Sequence, residues 1–295
     1  MALRGLQKIT LVIEQEVVRL MEVRKGRVAR WGSAPLPPNT LQRSAVANPE
    51  ALIEVVERLW RSQSQERPLS RNNIVLGILG HHIPTRIVSV QNLDTSDAQI
   101  MAQKARETLP EPDLHHVWQL VGGSTQPGLF VMGAPIALIN SYLEPLKRIG
   151  LGLAAMDVKP LALIRAVGQR NTVIIDAERT MGSIIIVDDT LPRRAAFPGL
   201  NAPLLASPEE KIMRLAEVLY ETVQRYNRST TSKTLHPAVP IFLTGSLANH
   251  SLLQEIVQDV LGHSVGSYTP PIEVPPDMPI SQFMVNIGLA QKRLK

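Results

Sequence analysis

The sequence predicts an α/β protein built from two related halves. Three observations carry this: short β-type runs separated by turn residues open the chain at Ile9–Ala34, the same pattern returns at Asn171–Pro198, and amphipathic helical segments alternate with apolar strands elsewhere. The 295 residues, 44% hydrophobic and 19% charged, suffice for one large domain or two ordinary ones and exclude a disordered chain. Cysteine is absent, which rules out disulfides, thiolate nucleophiles and Cys-bound metal centres and suits a reducing compartment. No apolar run reaches the roughly 18 residues of a membrane span, and the first residues lack the apolar stretch and cleavage site of a signal peptide, so a soluble cytoplasmic protein is expected. The net charge of +5 is spread thinly and aromatics make up only 4%, too few for a base-stacking platform, so no nucleic-acid partner is expected.

The opening meander is read as Ile9–Ile13, Val17–Val23 and Arg27–Trp31, with Lys25-Gly26 as its second turn and Pro35–Pro38 ending it. Asn48, Pro49 and Glu50 supply an N-cap, a first-turn proline and a dipole-matched acid for a helix to about Arg61, with Leu52, Val55, Val56, Leu59 and Trp60 on one face. Strands are expected at Asn73–Gly80 and Pro84–Val90, then a helix opened by a capping box at Ser96–Gln99 and running to about Thr108. Strands near His116–Val121 and Gly128–Gly133 flank a turn at Gly122–Pro127, and a helix from Ile136 to Ile149 stops at Gly150.

The repeat is closest between Thr10–Glu14 and Thr172–Asp176, each an apolar strand that ends in an acid and leads through a loop to a second strand, a turn and a third. Asp188-Asp189 is read as the tip of the second hairpin. Ser207–Glu210 is a capping box for a helix to about Arg225, with Ile212, Leu215, Ala216, Leu219, Val223 and Tyr226 facing inward. The polar stretch Asn227–Thr234, a strand at Pro240–Thr244, a helix at Leu252–Leu261, an extended connector at Tyr268–Pro279 and a short helix containing Gly288 complete the chain.

Several motifs are set aside on context. Gly150–Ala155 fits G-x-G-x-x-A, but a helix precedes it and a strand follows, the reverse of a dinucleotide-binding turn. No G-x-x-x-x-G-K-[ST] occurs. The pairs His81-His82 and His115-His116 are taken as adjacent strand residues pointing to opposite faces, and no metal site is expected. Ser183, Ser246 and the threonines have no His–acid constellation beside them in sequence.

Two α/β halves that each begin with an acid-terminated strand and a hairpin are how the actin-like nucleotide-binding fold begins its domains. Val28–Trp31 with Pro35–Pro38, Asn48–Leu52, Val75–Ile78 with Arg86, Val131–Pro135, Leu143–Leu151, Asp157–Ala162 and Ile241–Gly245, in this order, resemble the PilM-type proteins of type IV pilus assembly across nearly the whole chain. That family is similar to the cell-division protein FtsA. The resemblance implies an actin-like (ribonuclease H-like) two-domain fold: residues 1–170 with an inserted subdomain at 72–130, then residues 171–295 with a reduced or missing subdomain, since only about ten residues separate Pro198 from Ser207. It further implies a cytoplasmic scaffold, peripheral to the inner membrane through its partners. The partner would be the cytoplasmic N-terminal peptide of a PilN-like bitopic membrane protein, bound between the first domain and its insert; self-association is a further implied contact. ATP with Mg²⁺ is the ligand that many such proteins bind. A platform component of a secretion system is an alternative, for which a membrane span would follow the domain.

In this fold an acid at the end of the first strand of each half holds Mg²⁺ through water, and a glycine two positions on lets backbone N–H groups reach the phosphates. The acids are kept, as Glu14 and Asp176, while Glu16 and Glu178 fill the glycine positions. A carboxylate there opposes a triphosphate by about 4 kcal/mol for each pair of charges about 4 Å apart at an effective dielectric of about 20. With Thr180 in the second loop and Gly245-Ser246 after the last strand as a half-kept adenine-side turn, these residues are read as a remnant nucleotide site. A pseudo-ATPase with no bound cofactor is the expectation, and an active actin-like ATPase its rival.

Overall fold

Continuously buried central strands and local turn chemistry build both halves. The computed structural model describes residues 7–65, 67–122, 127–202, 205–229, 234–236, 238–262 and 265–294. The chain opens with an antiparallel meander of β1 (Lys8–Ile13), β2 (Val17–Arg24) and β3 (Arg27–Pro35). Its second turn lies at Lys25-Gly26, where both residues take positive φ, as a two-residue type I′ hairpin requires. A short hairpin of β4 (Leu41–Gln42) and β5 (Ala45–Val46) leads to α1 (Pro49–Ser62), capped by the Asn48 side chain and burying the five apolar residues that its periodicity selects.

β6 (Ile74–Ile78) returns parallel to β1. Then come β7 (Thr85–Ser89), α2 (Ala98–Thr108), β8 (Leu114–Val121), β9 (Gly128–Pro135), α3 (Ile136–Arg148), β10 (Leu153–Val158) and α4 (Lys159–Val167). The second half repeats the meander as β11 (Thr172–Ala177), β12 (Gly182–Asp188) and β13 (Leu191–Ala196), followed by α5 (Pro208–Asn227), β14 (Ile241–Thr244), α6 (Ser251–Leu261) and α7 (Ile280–Ala290).

The two main sheets run in the order β10-β6-β1-β2-β3 and β13-β12-β11-β14. In each, the first strand lies between an antiparallel second strand and a parallel later one, so the repeat seen in the sequence is a repeat of topology. Between the sheets lie α4 and α7. Their side chains share one buried cluster with Val12, Met21 and Val75 of the first sheet and Ile174, Ile185 and Phe242 of the second. A Cβ on Gly288 would collide with the Ala162 carbonyl, so this glycine sets how closely the two helices approach. Asn286 of α7 is fully buried and donates from Nδ2 to the Thr10 and Arg19 carbonyls, pinning the helix to β1 and β2.

The third sheet, β7-β9-β8, carries α2 on the face of Leu129, Val131 and Trp118 and turns Phe130 and Met132 toward the core of the first half.

Five details differ from the sequence reading. β6 lies within the 72–130 segment yet pairs with β1 and β10, because its fully apolar run belongs to a sheet covered on both faces. α2 is capped by Asp97, whose carboxylate accepts from the Gln99 and Ile100 N–H groups, while Ser96 bonds Asp94 instead. α4 has no counterpart among the expected elements. His81 and His82 occupy a turn with their ring centroids 4.0 Å apart and the rings tilted by 53°, so strand alternation does not apply to them. The connector strand of residues 268–279 is fastened to the first hairpin, Val28 N–H donating to the Glu273 carbonyl and Glu273 N–H to that of Gly26. The centre of the turn expected at Gly122–Pro127 and most of the polar stretch after Arg228 lie outside the described residues.

Candidate functional site

The acids at the ends of β1 and β11 meet across the boundary between the halves. Glu14 and Asp176 are both almost fully buried. Lys159, the first residue of α4, lies between them: its Nζ bonds the Glu14 carboxylate and stands 2.5 Å from Asp176 Oδ2. From β2, Arg19 also pairs with Glu14, and its other guanidinium nitrogen donates to Glu178 Oε1 at 2.8 Å. Glu178 in turn accepts from the Ser246 N–H at 3.3 Å. The result is a continuous chain of charges, Asp176–Lys159–Glu14–Arg19–Glu178, that begins and ends in the second half.

Burial pushes the Asp176 carboxyl above the ordinary carboxylate range, against the pull of Lys159, and the neighbouring Glu178 charge adds to the rise. Beside the network a cleft of 700 Å³ opens between the halves, walled by Gln15, Glu16 and Leu36 on one side and by Arg179, Thr180 and Ser246 on the other. The turn after β14 closes its floor. Gly245 there has φ +94°, donates to the Ser281 carbonyl, and passes so near the Ala177 backbone that a Cβ would stand 2.5 Å from the carbonyl oxygen. Only glycine fits this approach.

Of the residues singled out in the sequence, Glu14 and Asp176 are joined through Lys159, Thr180 and Ser246 line the cleft, and Gly245 supports it from behind. Glu178 turns inward to Arg19 whereas Glu16 stays exposed. The two residues that sequence reasoning missed are the cations. Arg19 carries a signal, a charge inside the β-type run Val17–Val23 that it shares with Glu22, whereas Lys159 has none in the sequence, because no pattern marks the helix it opens.

A Mg²⁺–nucleotide needs carboxylates free to hold the metal's waters and N–H groups free to face phosphate. In this cleft both candidate metal-holding acids are already paired with Lys159, Glu14 with Arg19 as well, and the Ser246 N–H is taken by a carboxylate. These residues do not suit Mg²⁺–ATP. They suit an internal ion-pair network that spans the cleft.

No family model matches the chain, and no curated protein matches it. Among solved structures it is similar to a PilM–PilN type IV pilus biogenesis complex, with a TM-score of 0.73 and 19% identity over 97% of this chain and 98% of that one. It is also similar to the ethanolamine utilization protein EutJ from Carboxydothermus hydrogenoformans, with a TM-score of 0.58 and 12% identity over 98% of this chain and 90% of that one. A third likeness is to the cytoplasmic domain of EpsL, an inner membrane component of the type II secretion system of Vibrio cholerae, with a TM-score of 0.54 and 11% identity over 98% and 97%. The fold is therefore the actin-like α/β fold that the sequence resemblance implied, in a divergent version. No helix among the described residues is long and apolar enough to cross a membrane.

Proposed function

We propose that this protein is a scaffold of a type IV pilus-like assembly machine, which works at the cytoplasmic face of the inner membrane by docking the N-terminal cytoplasmic peptide of a PilN-like bitopic membrane protein. The observation that carries this reading is end-to-end similarity of fold to the PilM–PilN complex, over 97% of this chain. The peptide's seat is the three-stranded sheet of the insert. Its edge strands β7 and β8 each leave one side unpaired with any other described strand, the feature that an extended peptide uses to add itself to a sheet. Val117 of β8 lies opposite Met132, on the face turned toward the first-half core, yet it is 45% exposed, an apolar side chain free to meet the peptide in the groove proposed between this sheet and that core.

The test is calorimetric titration of the purified protein with the cytoplasmic N-terminal peptide of the bitopic membrane protein encoded beside it. Saturable binding that Val117→Asp weakens at least about tenfold is expected, the loss of a buried apolar contact and its replacement by a charge. Failure to bind any such peptide overturns the scaffold reading. ATP turnover measured on the same protein would instead favour the rival reading, an active actin-like ATPase. A second reading, the cytoplasmic component of a type II secretion-like platform, draws on the likeness to the EpsL domain. It is favoured if binding is seen only with a partner from such a system.

A further inference from the structure

The cleft network contains the positive charge that the two loops of an actin-like fold need, and that charge is covalently attached. We propose that Lys159 and Arg19 are built-in counter-ions that tie the two halves together across the cleft, holding them in one arrangement without any metal or nucleotide. This does not rest on the pilus reading, and failure of peptide binding would leave it standing.

The geometry is specific. Lys159 Nζ reaches Glu14 of the first half and Asp176 of the second at once, with both carboxylates and the lysine side chain at 5% exposure or less. Arg19 does the same for Glu14 and Glu178. Each carboxylate therefore meets its charge partner inside the protein, at the point where the loops of β1–β2 and β11–β12 face each other. Lys159 is anchored at the N-terminus of α4, the helix packed between both sheets, so it cannot leave without moving the element that joins the halves. A divalent cation would have to displace an ammonium that is already desolvated and doubly paired. The rest of the site agrees. Glu178 reaches the Ser246 N–H, and Gly245 and Thr244 are tied to the Ser281 carbonyl, so the floor of the cleft is bonded to α7.

The test exchanges the tethered cation for a free one. In wild-type protein, millimolar Mn²⁺, Mg²⁺ or Mg²⁺–ATP is expected to leave the melting temperature unchanged. In Lys159→Ala, where two buried carboxylates are left facing a space the size of the lost side chain, the melting temperature is expected to fall and then to recover by several degrees with millimolar Mn²⁺, as ligand linkage dictates. Electron paramagnetic resonance should show bound Mn²⁺ only in the variant. A wild-type protein stabilised by Mn²⁺ or Mg²⁺–ATP overturns the proposal, as does a Lys159→Ala protein with unchanged stability and no response to metal.

Should Lys159→Ala fail to fold, the double variant Lys159→Ala/Asp176→Asn removes one charge of each sign and carries the test. Amide exchange at the loops around Glu14 and Glu178 is then expected to be at least about tenfold faster than in wild type, because one of the two ties that suppress local opening is gone and only Arg19 still bridges the cleft. Exchange at the wild-type rate would show that Lys159 does not hold the halves and would overturn the proposal.

Discussion

Three carboxylates, Glu14, Asp176 and Glu178, face two cations, Arg19 and Lys159, which leaves one surplus negative charge where water hardly reaches. That count decides which substitution is tolerated. Lys159→Met removes a cation and keeps the volume, so the surplus doubles; urea unfolding should show a loss of about 3–5 kcal/mol, the usual result of stripping one partner from a buried pair. Asp176→Asn removes the surplus and still offers Lys159 an oxygen, so its cost should stay within about 1 kcal/mol. Equal costs for the two would contradict the charge count. The raised Asp176 carboxyl points the same way: protonating this one group neutralises the cluster. A second titrating group lies outside the network. His81 packs against His82 with the rings tilted, is hydrogen-bonded to Ser44, and is pushed down to about 4 by burial and by the neighbouring ring. For a base whose folded value is depressed, the unfolded chain takes up the proton first. Its contribution to stability is therefore complete above about 6.5 and is lost as pH falls toward about 4. The melting temperature of wild type should drop across this window, and His81→Gln should flatten part of that drop.

At the scale of elements, the α4–α7 pair determines whether the halves can share a core. Gly288→Ala places a methyl against the Ala162 carbonyl, which neither helix can relieve without separating from the other. A loss at the upper end of about 1–3 kcal/mol is expected from overpacking at a site bounded by backbone. Thermal unfolding followed by circular dichroism would measure it, and a neutral outcome would mean that the two helices are free to shift apart. The same pair shows where sequence patterns stop being informative. The meanders β1–β3 and β11–β13 were legible because short β-type runs and the turn residues between them are local signals, and α1 and α5 because each presents one apolar face to a core and the other to water. α4 offers no such contrast. It is covered from both sheets, seven of its nine residues are buried, and its run Lys-Pro-Leu-Ala-Leu-Ile-Arg-Ala-Val has no polar side to set a period. The candidate site was half legible for a related reason. Glu14 and Asp176 are marked by their place at the end of duplicated strands, whereas the lysine that joins them is 145 positions from Glu14 in the chain. Its pairing is a product of tertiary structure alone.

At the scale of the whole molecule, the question is whether the cleft between the halves communicates with the peptide groove proposed beside the β7-β9-β8 sheet. A ligand shifts a conformational equilibrium only by the difference in its affinity for the two states. In this protein the positive charge that a metal would supply is provided by Lys159 and Arg19, which already join Glu14 to Asp176 and Glu178. Little differential binding energy is left for an added ligand to contribute. The insert sheet rests, through Phe130 and Met132, on the core of the same half that carries Glu14 and Arg19, so any opening of the cleft would have a mechanical route to the groove. The expected outcome is that this route goes unused by nucleotide: affinity for the partner peptide should agree within about twofold with and without Mg²⁺–ATP, which bounds the coupling at about 0.4 kcal/mol. Lys159→Ala supplies the contrast. With the Lys159 tie removed and only Arg19 left to bridge the cleft, the halves are held less firmly, and peptide affinity should then become sensitive to Mn²⁺, since the metal would take over the lost link between Glu14 and Asp176. A tenfold effect of Mg²⁺–ATP on the wild-type protein would place this chain among nucleotide-driven machines. Independence in wild type together with metal sensitivity in the variant would mark it as an actin-like fold held permanently in one state.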